Sequence, residues 1–489
     1  MVIFQSEDPV DLITDSNKRE VIVYDNSNIQ KSCSGVTTPL TFNFTRRAYS
    51  IVFEETQKHL SLARRSFSKD PEIFQNLVGL IKGRIYYNIN NWYRGFRYFN
   101  SLNHNRASLV QIMGLSEPVN FVDKDIKTLW QKGILIWDKC INLPKLLLSF
   151  RSLKNTVPRF LERLQLCFTN FYSKDLSSLS LEGLKLEKGN LDSRLLKLWV
   201  TPIVNDLYIL TASANIARQL EKAGLNNPDE FVNSFLTEEQ ALASMKPAKH
   251  LHNLALEAAY YPELKVLISR LPDDIHGQVE IRFKEFYQQV NEFIDVYGDT
   301  AAGELKLETQ TMRSNPSLFY SYLRDCLTAQ ISDIRAGNSS QQIAMSTLER
   351  KLSNLPAIHK SRILSKVNKL RQAISHRELF KLERSRVFGM YRSLYIAFGV
   401  KFQQKEWIGK PEDIFYLTED EILSCENGME HVFDTLIATR KQEFEQYKSE
   451  VVPSRVMVLS KIVNPVVPEV EHVPLIQGFD SEEIKAEVA

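Results

Sequence analysis

The stretch from Pro356 to Pro411 holds no proline between its ends, and its apolar residues recur with the period of a helix. Ile363, Val367, Leu370 and Ile374 stand at i, i+4, i+7 and i+11, and Phe380, Val387, Tyr391, Leu394 and Phe398 continue in the same manner. That is the spacing of an amphipathic face. It predicts a long helical region, with a break expected near Ser375. From about residue 121 onward the remaining signals are mostly helical as well. Trp199 to Leu220 repeats apolar residues at Leu207, Leu210 and Ile216, and Pro228, Pro247, Pro262 and Pro272 punctuate shorter helices. Pro144 and Pro158 are expected to break the pattern, Leu176 to Asn190 reads as a Ser/Gly-enriched loop, and a last helix is expected from Thr418 to about Tyr447.

The N-terminal part differs. Val21-Ile22-Val23-Tyr24 is a β-branched run and reads as a strand. A polar segment follows, Asp25-Asn26-Ser27-Asn28-Ile29 and then Ser34-Gly35-Val36-Thr37-Thr38-Pro39, the composition of a shaped loop rich in hydrogen-bonding groups. Phe44 to Arg65 reads as a helix. Gly83 to Ile89 reads as a second strand, leading into a helix that starts with an Asn cap at about Asn91. The expected fold is therefore mainly α, a large helical domain with a small β element near the N-terminus. The expected divisions are a lead-in at 1–20, an N-terminal part at 21–120, a helical body at 121–450 and an extended Pro/Val-rich tail at 451–489.

With 489 residues, 43% hydrophobic and 25% charged, the chain has the composition of a soluble globular protein. A net charge of +2 gives no global reason to expect nucleic-acid binding. Five scattered cysteines without CxxC spacing fit reduced thiols and a cytoplasmic setting. Met1 to Asp11 has neither the basic nor the apolar region of a signal peptide. The most apolar window, Trp199 to Ala217, contains Pro202, Asn205 and Asp206 and is too polar to span a bilayer.

Motifs of phosphate loops, dinucleotide fingerprints, nucleophile elbows and HExxH zinc sites are absent. His250 and His252 with Glu257 are a weak metal candidate, disfavoured by Lys249 beside them. Residues 351–392 carry eleven Lys/Arg against two Glu, a net of +9. Such a helix can face phosphate, nucleic acid or an acidic partner, or simply be a solvated face, the reading favoured here. In Gly298 to Glu308, a strand would put Glu304, Lys306 and Glu308 on one face, whereas a helix would turn Lys306 away. A carboxylate pair there suits acid–base work or the positioning of a hydroxyl, and equally a salt-bridged structural turn.

Several segments, in order, resemble phosphoenolpyruvate-synthase-like proteins, including rifampicin phosphotransferases. The polar segment from Asp25 to Phe42 is similar to a run that opens their middle region. Gly83 to Asn88 with Trp92-Tyr93, Pro202 to Asp206, and Tyr297-Gly298-Asp299 with Glu304 to Glu308 follow. Then come Arg377-Glu378 with Arg384 to Gly389, Pro411 to Thr418, and Arg440-Lys441 with Phe444 and Tyr447. Cys33 stands where the family usually has Tyr, and Thr300 where an Arg is common.

The resemblance covers roughly residues 20–455 and implies the helical, acceptor-holding middle region without the ATP-grasp or phosphohistidine domains. It implies a substrate-binding subunit of a split phosphotransferase, inactive alone, with ATP and magnesium on a partner and no cofactor bound by this chain. The implied partners are an ATP-grasp subunit, a swivelling phosphohistidine subunit and a small-molecule acceptor, with no nucleic acid and no membrane. The residues implied to line the acceptor site are Asp25, Asn28, Thr37, Thr38, Asn88, Asn205, Asp206, Glu304 and Lys306. Arg377, Arg384 and Arg386 would meet phosphate or a partner's acidic surface. The same residues also suit structural duties: Asp25, Asn28 and Thr38 tying down the loop, Asn205 and Asp206 serving a kinked helix. A non-catalytic scaffold or regulatory subunit, or part of a ligase-like system, fits the same motifs.

Overall fold

The computed structural model describes residues 3–4, 19–60, 72–98, 129–224, 227–228, 231–233, 245–301, 303, 305–328, 346, 348–350, 352, 356–425 and 433–461. In chain order the strands are β1 (Ile3–Phe4), β2 (Arg19–Asp25), β3 (Val78–Ile81), β4 (Arg84–Asn88) and β5 (Arg455–Lys461). The main helices are α1 (Pro39–Leu60), α2 (Ile89–Tyr98), α3 (Leu129–Tyr172), α4 (Leu181–Arg194), α5 (Val200–Lys222), α6 (Lys246–Tyr260), α7 (Pro262–Arg270), α8 (Ile275–Arg282), α9 (Lys284–Tyr297), α10 (Ser317–Thr328), α11 (Ala357–Gln404) and α12 (Phe433–Ser449). The protein is mainly α with one small antiparallel sheet, and it divides into two compact units, residues 1–148 with 402–489 and residues 149–401.

The first unit is built on the sheet, in the order β1-β5-β2-β4-β3 with every neighbouring pair antiparallel. Its central pair is β2 with β5, in register from Arg19↔Lys461 to Asp25↔Arg455. Part of the Pro/Val-rich tail is therefore a paired strand. β4 meets β2 only at Tyr24 and Asp25. Beyond that the side-chain amide of Asn90 continues the ladder, accepting from the Val23 N–H at 2.9 Å and donating to the Val21 carbonyl at 2.8 Å. A strand whose backbone would otherwise be unpaired is thus satisfied by one side chain. Tyr86, Val456 and Val458 are buried on this sheet, and the rings of Tyr49, Phe53, Tyr87 and Trp92 pack edge-on or stacked beside it. The Trp92 indole N–H reaches the Leu77 carbonyl at 2.9 Å, which lets a polar-tipped ring be buried.

Two sequence expectations change in this unit. The helix after β4 begins at Ile89, with Asn88 in the cap position accepting from the Asn91 N–H, rather than starting at Asn91. The expected helix from Thr418 to Tyr447 is two pieces, Glu419–Leu423 and α12. The short piece has a reciprocal cap, Thr418 with Glu421, that fixes its start.

The second unit is helical. The stripe in α11 packs as its period implies: Ile363, Val367, Leu370 and Ile374 share a core with Ile209, Ile216 and Leu220 of α5. Each such fully buried aliphatic side chain contributes roughly 1.5–3 kcal/mol. A second core gathers α6 to α10 around Leu254, Leu264, Ile268, Val279, Val290, Phe293 and Phe319. Pro247 and Pro262 lie in the first turns of α6 and α7, where a missing N–H costs nothing.

Three expectations are corrected by the helices. α11 is unbroken at Ser375. The stripe's gap is filled by Arg377, whose guanidinium pairs with Asp206 of α5. α3 runs through Pro144 and Pro158, both on its exposed side, where water can satisfy the carbonyls that proline leaves open. The segment read as a loop at 176–190 is a 3-10 turn, Leu176–Ser178, followed by α4, capped by Ser180 on the Gly183 N–H. Residues 298–308 take the alternative of a salt-bridged turn: the described ones form successive turns, with Lys306 paired to Glu308.

Leu181–Lys222 is long and apolar enough to cross a membrane by composition. Of its apolar residues, Leu184, Leu191, Leu195, Val204, Leu207, Ile216 and Leu220 are buried inside the protein, while 39% of its most apolar 18-residue window is buried.

Candidate functional site

The segments singled out in the sequence meet one another in pairs, within one unit or the other. In the first unit the polar loop meets the turn before β4. Thr37 donates to the Gly83 carbonyl from its N–H at 2.7 Å and its hydroxyl at 3.1 Å. Gly83 and Gly35 both have φ of +68°, a conformation glycine adopts without strain. Asp25 is 1% exposed and paired with Arg455 at 2.9 Å, and its other oxygen accepts from the N–H and hydroxyl of Ser27. Thr38 is buried just before α1, and Asn28 precedes the short 3-10 turn Ile29–Lys31. Asn88 is spent on capping α2. Also in this unit, the 411–418 segment meets the α12 segment. Arg440 donates to the Tyr416 carbonyl and to both oxygens of Glu421, and Lys441 pairs with Asp413.

In the second unit Asn205 is fully buried and donates to the Ala373 carbonyl at 2.9 Å, tying α5 to α11. One helical position on, Asp206 accepts from Arg377 Nε at 2.8 Å. This pair reaches solvent, the two side chains being 45% and 37% exposed. Arg386 is turned inward: it pairs with Glu383, donates to Gln165 and lies over the Phe168 ring at 3.9 Å. Arg384 is half-buried on the same helix. The Lys306 ammonium stands 3.6 Å from the Glu308 carboxylate. Glu304 lies outside the described residues.

The turns around Lys306 are held by residues outside the expected site set. Asp299, 1% exposed, pairs with Arg313 at 2.8 Å and lies 3.8 Å from Arg392. Its carboxylate occupies the space a Cβ at Gly389 would need. Arg392, one turn further along α11, donates to the carbonyls of Leu307 at 3.0 Å and Lys306 at 2.9 Å. Arg313 also caps α9, donating to the carbonyls of Ile294 and Asp295, and lies over the rings of Phe168 and Tyr172.

Burial raises the Asp299 carboxyl above its ordinary value, with Arg313 and Arg392 pulling the other way. Burial also raises Glu383 against the pull of Arg386. The Tyr172 phenol is pushed up to about 12, first by burial and then by the Asp299 charge. The cluster thus sets three guanidiniums, Arg313, Arg386 and Arg392, against two buried carboxylates. One signal for it was present in the sequence, because the segments ending in Asp299 and Gly389 were both singled out there. Arg313 and Arg392 lay in no motif.

His250 and His252 do not converge on a metal. Two residues apart on α6, they leave the helix in different directions. His250 packs against Phe293 and Tyr297, while Glu257 accepts from Gln289. Among the described residues no group of three His, Cys, Asp or Glu is placed to hold a metal ion.

Residues 203–378 match the family model of the rifampicin phosphotransferase fourth domain. The match is consistent with the helical region of the phosphoenolpyruvate-synthase-like family and takes in α5 to α10 and the first part of α11. It includes both Asp206 and Arg377. No curated protein matches the chain.

Proposed function

We propose that this chain supplies the acceptor-holding helical part of an ATP-dependent phosphotransferase of the phosphoenolpyruvate-synthase-like kind. ATP-grasp and phosphohistidine chains would carry the ATP chemistry, and magnesium would act there. The observation that carries this reading is the rifampicin phosphotransferase domain match over residues 203–378. Within that stretch the Asp206–Arg377 pair is a charged candidate accessible to a ligand. A guanidinium there can fork onto a phosphoryl oxygen or an acceptor carboxylate, while Asp206 orients a hydroxyl. Lys306 and Glu308, presented by the Arg392 clamp, offer a second donor and acceptor. The chain's own contribution is position and charge. In phosphoryl transfer these are most of what a protein supplies.

A second reading is supported by a different observation. Asp25, Thr37, Asn88, Asn205 and Arg386 are engaged with other parts of their own units. A non-catalytic scaffold or regulatory subunit would need those contacts and no ligand. Reconstitution separates the two. The purified chain is mixed with separately expressed ATP-grasp and phosphohistidine chains of this family, and radiolabelled γ-phosphate is followed into small molecules of a cell extract. Labelled acceptor that depends on this chain, and falls when Arg377 is replaced by Ala, supports the acceptor role. Labelling of the histidine chain with no acceptor dependent on this chain favours the scaffold.

A further inference from the structure

The core stripe of α11 leaves another face of its first four turns toward solvent, and that face is basic. From Ala357 to Arg377 the sequence carries six Lys/Arg and no Asp or Glu. Arg377 is neutralised by Asp206. Among the described residues, Lys360, Arg362, Lys366 and Lys369 have no carboxylate partner. Like charges so close on one helix repel and cost stability unless something neutralises them.

The same face carries a hollow of about 590 Å³. Ala357, Lys360, Ser361, Leu364, Ser365, Asn368, Lys369 and Gln372 line it, a stripe at i, i+3, i+4 and i+7 spacing. At 1.5 Å per residue this stripe is about 22 Å long. Ala357 and Leu364 give it an apolar floor, the serines keep it shallow enough for a close approach, and the lysines flank it.

This chemistry selects among polyanions. Beyond the first turn the stripe's N–H groups are already bonded to carbonyls, so over most of its length the nest of free N–H groups that phosphate sites use is missing. Among the described residues no aromatic ring lines the stripe to stack a base. A straight stripe at helical spacing, with an apolar seam between cationic flanks, is complementary to another helix bearing the opposite charge. We infer that this face of α11 docks an acidic amphipathic helix of a partner protein, with the partner's small apolar residues along Ala357 and Leu364 and its carboxylates against Lys360 and Lys369. The inference is independent of the acceptor reading, since none of these residues belongs to the candidate site.

The test uses the full chain and a labelled model helix of Leu/Ala heptads flanked by glutamates, with a lysine-flanked counterpart. Fluorescence anisotropy is read at low salt. The glutamate peptide should bind and the lysine peptide should not. The double change Lys360→Glu, Lys369→Glu should weaken binding by roughly tenfold or more, and raising the salt should weaken binding to the unaltered chain. A charge-matched control, Lys154→Glu, Arg163→Glu on the exposed side of α3, should leave binding within about twofold. All four positions lie on the surface, and circular dichroism checks that both variants fold. Equal loss in the two variants, or no binding of the glutamate peptide, overturns the inference. So does displacement of the peptide by tripolyphosphate or a single-stranded oligonucleotide at lower concentration than by unlabelled peptide.

Discussion

The carboxylate of Asp299 rests in the notch left by the missing side chain of Gly389. Two residues ninety positions apart in the sequence thereby fix the turns that carry Lys306 against the longest helix of the chain. A methyl group at 389 would overlap a buried, ion-paired carboxylate. Gly389→Ala is therefore expected to destabilise the helical unit by about 2–3 kcal/mol through overpacking. Gly189, exposed in α4 with open space where a Cβ would stand, is the control. Gly189→Ala should stabilise by roughly 0.5–1 kcal/mol through helix propensity alone. Urea denaturation of both variants gives the comparison.

Asp25 and Arg455 form a cross-strand pair at the end of the β2–β5 ladder. Because Asp25 is buried, removing only its partner strands a charge. Arg455→Met should cost about 3–5 kcal/mol, and the double change with Asp25→Asn should recover part of that loss. A double-mutant cycle by denaturation measures the coupling, and additive single costs would contradict it.

How much was legible in advance follows from the range of each contact. The α11 stripe and the strand at 21–24 announced themselves because their signal is local periodicity. The prolines of α3 misled because a proline on an exposed helix face is tolerated, and exposure is a property of the folded chain. Nothing near Asp25 foretold Arg455, since that pairing depends on a strand at the far end of the sequence. Asn88, Asn205 and Arg386 stood out as polar residues in shared motifs, and the contacts each makes within its own unit depend on segments far away in the sequence or on a helix start that the motif did not mark. The Arg313–Asp299–Arg392 cluster was half visible, its carboxylate in a motif and its arginines in none.

Burial holds His276 below its ordinary value of 6.5, against the pull of Glu280 and Asp274, with Tyr320 at 3.1 Å and the Tyr287 ring tilted against it. Below pH 6.5 the unfolded chain therefore binds this proton before the folded chain does. Stability falls as pH is lowered from 6.5 toward the depressed folded-state value, and His376, also held low by burial, adds in the same direction. Melting temperatures measured across that range should drop for the unaltered chain and drop less for His276→Gln.

Arg377 and Asp206 form a half-exposed pair, and such pairs add about 1 kcal/mol or less to stability. Arg377→Ala should therefore leave the fold nearly unchanged while lowering acceptor labelling in the reconstituted system by roughly 10–100-fold. Arg377→Lys, which keeps the charge but loses the fork, should recover only part of that loss. A large fall in melting temperature with unchanged labelling would assign the pair to the fold alone.

The central claim is that this chain holds the molecule to be modified and leaves the ATP chemistry to partner chains. Phosphate release from ATP by the purified chain, with magnesium and without any partner, tests it most directly. Release at the background rate, rising only when ATP-grasp and phosphohistidine chains are added, is the predicted result. Sustained turnover by this chain alone, lost on substitution within it, would contradict the account.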